Sequence, residues 1–164
     1  MAQESTMTTE KSTPHDTPST ADTELRALYR QLVDAWNRRN ADAYAHLFAE
    51  DGAVVGFDGS EMTGSAEIAA TLRKIFTDHA TGVYRGKIRG VRMLAPDVGL
   101  LRAIAGIVPA GQTDLDPKLN SVQSLVAIRH DEQWRIVLFH NTPAQLHGRP
   151  EMVEQMTEEL RREA

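Results

Sequence analysis

The sequence contains no cysteine, and aromatic residues make up only 5% of its 164 positions. Without thiols the chain can form neither a disulfide nor a thiolate zinc site, and a cysteine nucleophile is excluded. Acidic residues outnumber basic ones, 23 to 18, so a net charge of -5 lacks the positive field that drives binding to nucleic-acid phosphates. No stretch approaches the roughly 20 apolar residues of a membrane span. We therefore expect a soluble domain that binds neither nucleic acid nor membrane.

Residues 1–21 are predicted to form a disordered tail. Residues 1–20 contain nine Ser or Thr and two Pro, but no Leu, Ile, Val or aromatic side chain to bury. A basic start followed by an apolar run, which marks a signal peptide, is not seen, so a cytoplasmic location is expected. The domain itself is expected over residues 22–148, and a C-terminal surface helix over residues 149–164.

Apolar residues in the first half of the chain recur with the period of a helix. After capping residues at 20–22, four of them share one helical face: Leu25, Leu28, Leu32 and Trp36. A short second helix is expected to end near Gly52, and a strand to follow at 53–57. After the turn at Asp58-Gly59, the spacing predicts a third helix over 65–78.

After Gly82 the apolar period changes from 3.6 to 2. This alternation predicts four strands, over residues 84–93, 99–108, 119–129 and 134–142. Three helices followed by a run of adjacent strands favour an α+β fold with a mainly antiparallel sheet folded over the helices, rather than alternating βαβ units.

The last of these strands predicts a second protein layer. Residues 134–139, Trp-Arg-Ile-Val-Leu-Phe, are apolar at successive positions instead of alternating. Helices can cover only one face of the sheet, so the other face needs a partner, most economically a second copy of the chain. A homodimer is therefore expected.

Several short motifs occur in the order typical of one protein family. They are LVDAWN at 32–37, FAEDG at 48–52, Gly64 ahead of Ile68, WRI at 134–136 and NTP at 141–143. Over residues 25–150 the chain resembles the SgcJ/EcaC family, in the SnoaL-like, ketosteroid-isomerase-like group of the nuclear-transport-factor-2-like superfamily. The resemblance implies a cone-shaped α+β barrel of three helices on a strongly curved sheet, with one deep pocket, usually dimeric. It also implies a role in a polyketide pathway, enediyne or aromatic.

The residues that ketosteroid isomerase chemistry requires are missing from this sequence. That reaction needs a carboxylate base and two neutral proton donors around the enolate oxygen. When the chains are aligned through residues 48–51, those positions carry Leu32, Gly56 and Val126, none of which can move a proton. The resemblance therefore argues against steroid isomerisation.

The same alignment places candidate ligand-binding residues toward the pocket. These candidates are Asn141, Trp36, Phe139 and Ser124, and Arg102 is added because it is a charged residue inside an otherwise apolar strand. Asn141 either orients a ligand carbonyl or hydroxyl group or caps the end of its strand. Trp36 and Phe139 either stack on a planar ligand or fill the core. Arg102 either binds a carboxylate or enolate at the pocket mouth or lies on a solvent face.

Two residues are candidate general bases. Histidine is a common general base near neutral pH, which makes His140 a candidate, but strand alternation sends only one of His140 and Asn141 inward, and the alignment favours Asn141. Asp58 lies in Asp58-Gly59 and therefore serves either as a base or as a turn residue.

Other signals in the sequence point to partners rather than cofactors. Arg85, Lys87 and Arg89 alternate along one strand and either dock an acidic carrier protein or a phosphopantetheine arm, or form a solvated face matched by acidic residues elsewhere. The six histidines show no metal-binding spacing, and neither a nucleotide loop nor a serine elbow is present, so we expect no metal and no cofactor.

Two functions remain open at this point. The chain is either a pathway enzyme or accessory cyclase/isomerase acting on a small hydrophobic ligand of polyketide type, or a non-catalytic domain that binds and chaperones such a molecule.

Overall fold

The computed structural model describes residues 19–163. In order along the chain, the elements are α1 (Thr20–Asn37), α2 (Ala41–His46), β1 (Phe48–Val55), β2 (Glu61–Thr63), α3 (Ser65–Asp78), β3 (Val83–Ala95), β4 (Val98–Val108), a 3-10 turn (Pro117–Leu119), β5 (Ser121–His130), β6 (Gln133–Pro143) and α4 (Pro150–Arg161). None of the helices in this part of the chain has the length and apolar character needed to cross a membrane.

Most of the tail predicted at 1–21 lies outside the described residues. Its last residues belong to α1, because the Ser19 side chain accepts a hydrogen bond from the backbone N–H of Asp22 (3.1 Å) and caps the helix. The helix therefore begins at Thr20, within the capping segment that the sequence indicated.

The six strands form one sheet in the order β2-β1-β6-β5-β4-β3. β1 runs parallel to β6, and the other neighbours are antiparallel. Bulges in β3 and at the β5–β6 pairing help to curve the sheet. The predicted α+β class is confirmed, but the expected barrel is wrong: β2 and β3 lie at opposite edges, and the sheet is open.

Helices α1 to α3 pack on one face of the sheet, here called the concave face. Its core contains fully buried side chains from both layers: Leu25, Leu32, Ile68, Leu72, Leu101, Leu125 and Ile136. Each such side chain contributes about 1.5–3 kcal/mol relative to an exposed one. This packing fixes the positions of the helices above the sheet.

The element bounds differ from the sequence prediction mainly around β1. The second helix ends at His46, and β1 already begins at Phe48, because Phe48 pairs with Ile136 of the parallel strand β6. Strand β2 was missed, since it has only three residues and lies at an exposed edge. Residues 117–119 form a 3-10 turn, so β5 begins at Ser121. Helix α3 has the predicted bounds.

The fourth helix covers part of the opposite face, here called the convex face. Leu160 packs with Ile104 and Leu115, and the buried Asn120 side chain donates to Thr157 Oγ1 (2.9 Å). This helix supplies a second layer over β3 and β4 within the same chain. Val126, Ile128 and Leu138, of β5 and β6, stay half-buried on that face.

Helix α4 also pairs with the basic stripe, defined as Arg85, Lys87 and Arg89. Lys87 Nζ lies 2.9 Å from Glu159 Oε1, and Arg89 Nη2 donates to Glu159 Oε2 (2.8 Å). Glu159 of α4 thus pairs with two of the three basic residues, which is the kind of acidic match that the alternative of a solvated strand face included.

Candidate functional site

A cavity of about 430 Å³ lies between the concave face and helices α1 to α3. Its walls are mostly apolar and include Leu32, Trp36, Val54, Leu72, Ile75 and Phe139. The exposed residues that line it are Asp58, Ser60 and Glu61, so the turn between β1 and β2 marks the mouth. A largely apolar cavity of this size with a few polar groups is typical of small-molecule sites.

The end of α1 positions the start of β3, which lies beside the cavity. Asn37 Oδ1 accepts from the backbone N–H of Tyr84 (2.8 Å), and Asn37 Nδ2 donates to the Tyr84 carbonyl (2.9 Å). The preceding residue, Trp36, donates its indole N–H to the Gly82 carbonyl (3.2 Å). Because β3 is an edge strand, the Asn37 amide takes the place of a neighbouring strand.

An aromatic cluster forms the inner wall of the cavity around Trp36. The indole ring makes edge-to-face contacts with Phe76 (5.1 Å between ring centroids), Tyr84 (5.6 Å) and Tyr44 (6.3 Å). Tyr44 is positioned by the short helix α2, whose N-cap Asn40 accepts a hydrogen bond from Ala43 N (3.0 Å). Such contacts hold the rings in fixed orientations.

A chain of hydrogen bonds runs through the core to the cavity. The Tyr29 hydroxyl donates to Gln123 Oε1 (2.5 Å), Gln123 Nε2 donates to Asn141 Oδ1 (3.2 Å), and Asn141 Nδ2 donates to the Tyr84 hydroxyl (3.0 Å). Gln123 and Asn141 are cross-strand partners on β5 and β6, with exposed fractions of 2% and 6%. The network therefore fixes the Tyr84 hydroxyl at the cavity wall.

The three phenols of this region are proton donors rather than bases. Burial, and secondarily the neighbouring Tyr84, raises the pKa of Tyr29 and Tyr44 far above its usual value. Burial also raises the pKa of Tyr84, and the hydrogen bond from Asn141 opposes this shift. All three hydroxyls therefore keep their protons at neutral pH.

Asp58 lies at the mouth and is held in its turn. Its Oδ1 accepts from the Ser60 hydroxyl (2.6 Å) and from the Ser60 backbone N–H (3.0 Å). The side-chain bond first, and then the backbone bond, lowers the pKa of this exposed carboxyl. Both roles weighed for Asp58 meet here: it lines the cavity and it stabilises a turn. A carboxylate with a lowered pKa is a weak base.

The structure brings only some of the predicted site residues together. Trp36, Asp58, Phe139 and Asn141 line the cavity. Arg102, Ser124 and His140 instead form one cross-strand row, Arg102 opposite Ser124 and Ser124 opposite His140, on the convex face.

The expectation that Ser124 and Arg102 reach the pocket is therefore wrong. Strand alternation is the reason, since their neighbours Leu101 and Leu125 are fully buried in the concave core. The same alternation decides between His140 and Asn141: Asn141 is buried at the cavity and His140 is exposed.

Sequence reasoning missed Tyr44, Tyr84 and Gln123, which all line the cavity. Tyr84 was detectable, because a residue directly before the basic stripe must point to the opposite face of β3. Gln123 shares the parity of Leu125 on β5 and was detectable in the same way. Tyr44 had no distinct signal, since its direction depends on how α2 packs.

These observations define a small α+β protein with a helix-covered, apolar pocket. The model of the SnoaL-like domain matches residues 25–144, and the chain belongs to this family. Helix α4 lies beyond the matched region. No curated protein is significantly similar to the chain.

Several solved structures share the fold. A cystatin-like domain of unknown function from Nostoc punctiforme is 28% identical, with a TM-score of 0.74, over 84% of this chain and 86% of that one. An NTF-2-like protein of unknown function from Shewanella oneidensis is 21% identical (TM-score 0.61; 73% and 97% covered). A ketosteroid isomerase-like protein from Erwinia carotovora is 14% identical (TM-score 0.61; 77% and 98% covered). The last two show the fold alone.

Proposed function

We propose that this protein binds a largely apolar small molecule of polyketide type in the cavity and acts as an accessory binding protein for it. The observation that carries the proposal is the cavity itself, whose apolar walls surround polar groups that donate or accept hydrogen bonds but do not take up a proton at neutral pH. Membership of the SnoaL-like family supports a small-molecule role.

Occupancy of the cavity is the first test. Native mass spectrometry of the purified protein, followed by denaturing extraction, is expected to release a small conjugated molecule. Ile75→Trp, which fills the cavity from α3, should abolish binding, and Lys74→Trp, exposed on the same helix, should not. A wild-type protein that carries no molecule and also fails to bind 2-acetylnaphthalene in calorimetry would contradict the proposal.

A cofactor-free cyclase or isomerase is the second candidate function. It is favoured by the carboxylate of Asp58, which lies at the cavity mouth and is the predicted base that remains there. Turnover of a β,γ-unsaturated bicyclic ketone that is lost in Asp58→Asn and kept in Glu61→Gln would favour catalysis. The lowered pKa of Asp58 weakens it as a base, which is why binding ranks first.

The finer family assignment is also a proposal. The SgcJ/EcaC branch, with its enediyne or aromatic ligands, is supported by the motif at 32–37, whose last two residues, Trp36 and Asn37, anchor β3 beside the cavity. A conjugated mass in the extraction experiment supports this branch, and a saturated lipid argues against it.

We also propose a cytoplasmic location, which cell fractionation tests.

A homodimer is proposed through the part of the convex face that α4 leaves uncovered. Val126, Ile128 and Leu138 offer apolar surface there. Light scattering should give twice the chain mass at micromolar concentration, and Val126→Arg should give the monomer. A wild-type monomer would contradict the proposal.

An acidic carrier protein that docks on the basic stripe is a weaker proposal than the sequence alone suggests, because Glu159 already pairs with Lys87 and Arg89. A carrier would have to compete with Glu159 for Lys87 and Arg89. The expected absence of a metal and of a cofactor stays a prediction; residues 19–163 contain no group of three or more His, Asp or Glu side chains arranged to hold an ion.

A further inference from the structure

We infer that the inner end of the cavity recognises a carbonyl oxygen of an uncharged ligand through two phenol donors, Tyr84 and Tyr44. These two residues are here called the tyrosine pair. The inference rests on the proposed function, because it specifies the chemistry of the molecule that the cavity holds. The hydrogen bonds to the ligand carbonyl oxygen are thereby assigned to two residues that were not predicted from the sequence as site residues.

Tyr84 is set up to donate a hydrogen bond into the cavity. Its oxygen already accepts from Asn141 Nδ2 (3.0 Å), and its own O–H has no acceptor among residues 19–163. The direction of the chain from Tyr29 through Gln123 and Asn141 fixes this polarity, since each member donates toward Tyr84. A ligand oxygen is the acceptor that would complete the chain.

Tyr44 supplies the second donor at the same end of the cavity. Its ring stacks on Phe48 (5.6 Å between centroids) and meets the edge of Trp36, which also contacts Tyr84. Among the described residues the Tyr44 hydroxyl has no hydrogen-bond partner, and it is not among the enclosed polar atoms left unpaired, so it opens onto the cavity that Tyr44 lines. An acceptor in the cavity within reach of both phenols would therefore receive a hydrogen bond from each.

Asn141 is a positioning residue in this arrangement. The sequence predicted that its amide orients a ligand carbonyl, but its oxygen is bonded to Gln123 and its nitrogen to Tyr84. It therefore acts on the ligand through Tyr84. Because the chain ends on a donor, a ligand group that only donates is disfavoured at this end.

The charges at the cavity select against anions. Asp58 and Glu61 lie at the mouth, and no Lys, Arg or His side chain lines the cavity among the described residues. A carboxylate would meet like charges at the entrance and no cation at the inner end. The ligand class that fits is thus an apolar, uncharged ketone, aldehyde or quinone that enters with its carbonyl group first.

Calorimetry with three naphthalenes of similar shape tests whether the cavity prefers an uncharged carbonyl compound. The probes are 2-acetylnaphthalene, its alkene isostere 2-isopropenylnaphthalene, and anionic 2-naphthoate. The wild-type protein should bind the ketone about tenfold more tightly than the alkene, as two net hydrogen bonds imply, and should bind 2-naphthoate most weakly.

Isosteric variants assign the effect to the tyrosine pair. Tyr84→Phe and Tyr44→Phe should each reduce the ketone preference to about threefold, because each variant keeps one of the two hydrogen bonds, while affinity for the alkene stays within about twofold. Ser124→Ala, on the opposite face of the sheet, should keep the full preference. The carbonyl stretch of bound 13C-labelled 2-acetylnaphthalene should move to lower frequency in the wild-type protein and by clearly less in Tyr84→Phe, a difference that a merely structural role of Tyr84 would not produce.

The outcomes distinguish a failure of the carbonyl site from a failure of the proposed small-molecule binding function. Equal affinity of the wild-type protein for ketone and alkene overturns the carbonyl site and leaves the proposed binding function intact. Binding of none of the three probes overturns both. Tighter binding of 2-naphthoate than of the ketone overturns the selection against anions.

Discussion

The Tyr29 phenol occupies the space that a side chain on Gly86 would need. A Cβ atom at position 86 would lie 2.9 Å from Tyr29 Cζ and closer still to the phenol oxygen. Helix α1 can therefore approach β3 closely enough for the Tyr29 hydroxyl to reach Gln123. The glycine on the edge strand and the hydrogen-bond chain into the cavity depend on each other.

Gly86→Ala is accordingly expected to destabilise the protein by about 1–3 kcal/mol, because the new methyl group displaces Tyr29 from its hydrogen bond. Urea denaturation measures the change. Gly90→Ala in the same strand, where no atom lies within 4 Å of the new Cβ, is the matched control and should be nearly neutral. Adding Tyr29→Phe should cost less in the Gly86→Ala background than in the wild type, since the overlapping oxygen is gone. Strict additivity would contradict this account.

Thr157→Val is expected to loosen α4 from the convex face. The Thr157 hydroxyl accepts from Asn120 Nδ2 (2.9 Å) and donates to the Val153 carbonyl (2.8 Å), and Asn120 Oδ1 is already buried without a partner among the described residues. Removing the hydroxyl leaves both polar atoms of the Asn120 amide unpaired, at a cost of about 1–3 kcal/mol in the free energy of unfolding. Thr157→Ser keeps the hydroxyl and should retain most of the stability. Equal loss in the two variants would argue for packing alone.

The attachment of α4 should weaken in acid. Hydrogen bonds first from Arg89 and then from Lys87 hold the pKa of the Glu159 carboxyl below its ordinary value of 4.5. A carboxyl with a lowered folded-state pKa stabilises the native state fully above its unfolded pKa, and this contribution is lost as the pH falls through the lower, folded value.

Urea denaturation of wild type and Glu159→Gln measures this effect. We expect a difference of about 0.5–1 kcal/mol near neutral pH that shrinks as the pH falls below 4.5 and disappears once the pH lies below the lowered pKa of Glu159, where both side chains are uncharged. Glu154→Gln, on the same helix and without an ion pair in residues 19–163, should match the wild type throughout. A difference that persists at low pH would mean that the ion pair is not its source.

The sequence predicts those parts of this fold where periodicity reports burial directly. Helix α3 and the strands β3, β4 and β6 were placed within about two residues, because apolar spacing and turn residues coincide there. The start of β1 was missed, since Phe48 continues the helical spacing and only its pairing with Ile136 makes it a strand residue. The first link of the hydrogen-bond chain was out of reach for the same reason: Tyr29 and Gln123 are 94 positions apart and meet only when α1 packs on the sheet.

Asn37 offers a test that separates the position of Tyr84 from its chemistry. Its side-chain amide makes two hydrogen bonds to the Tyr84 backbone on the free edge of β3. Asn37→Ala leaves that backbone N–H and C=O unpaired, so the free energy of unfolding should fall by about 1–3 kcal/mol. The preference for 2-acetylnaphthalene over its alkene isostere should also fall, because the Tyr84 hydroxyl is no longer fixed in position. The variant keeps the phenol itself, so such a loss would come from its position and not from its chemistry. Asn40→Ala, which removes the cap of α2 instead, should cost about 1 kcal/mol and leave the position of β3 unchanged. An Asn37→Ala protein that loses stability but keeps the full ketone preference would show that the hydrogen bond from Asn141 alone holds Tyr84 in place.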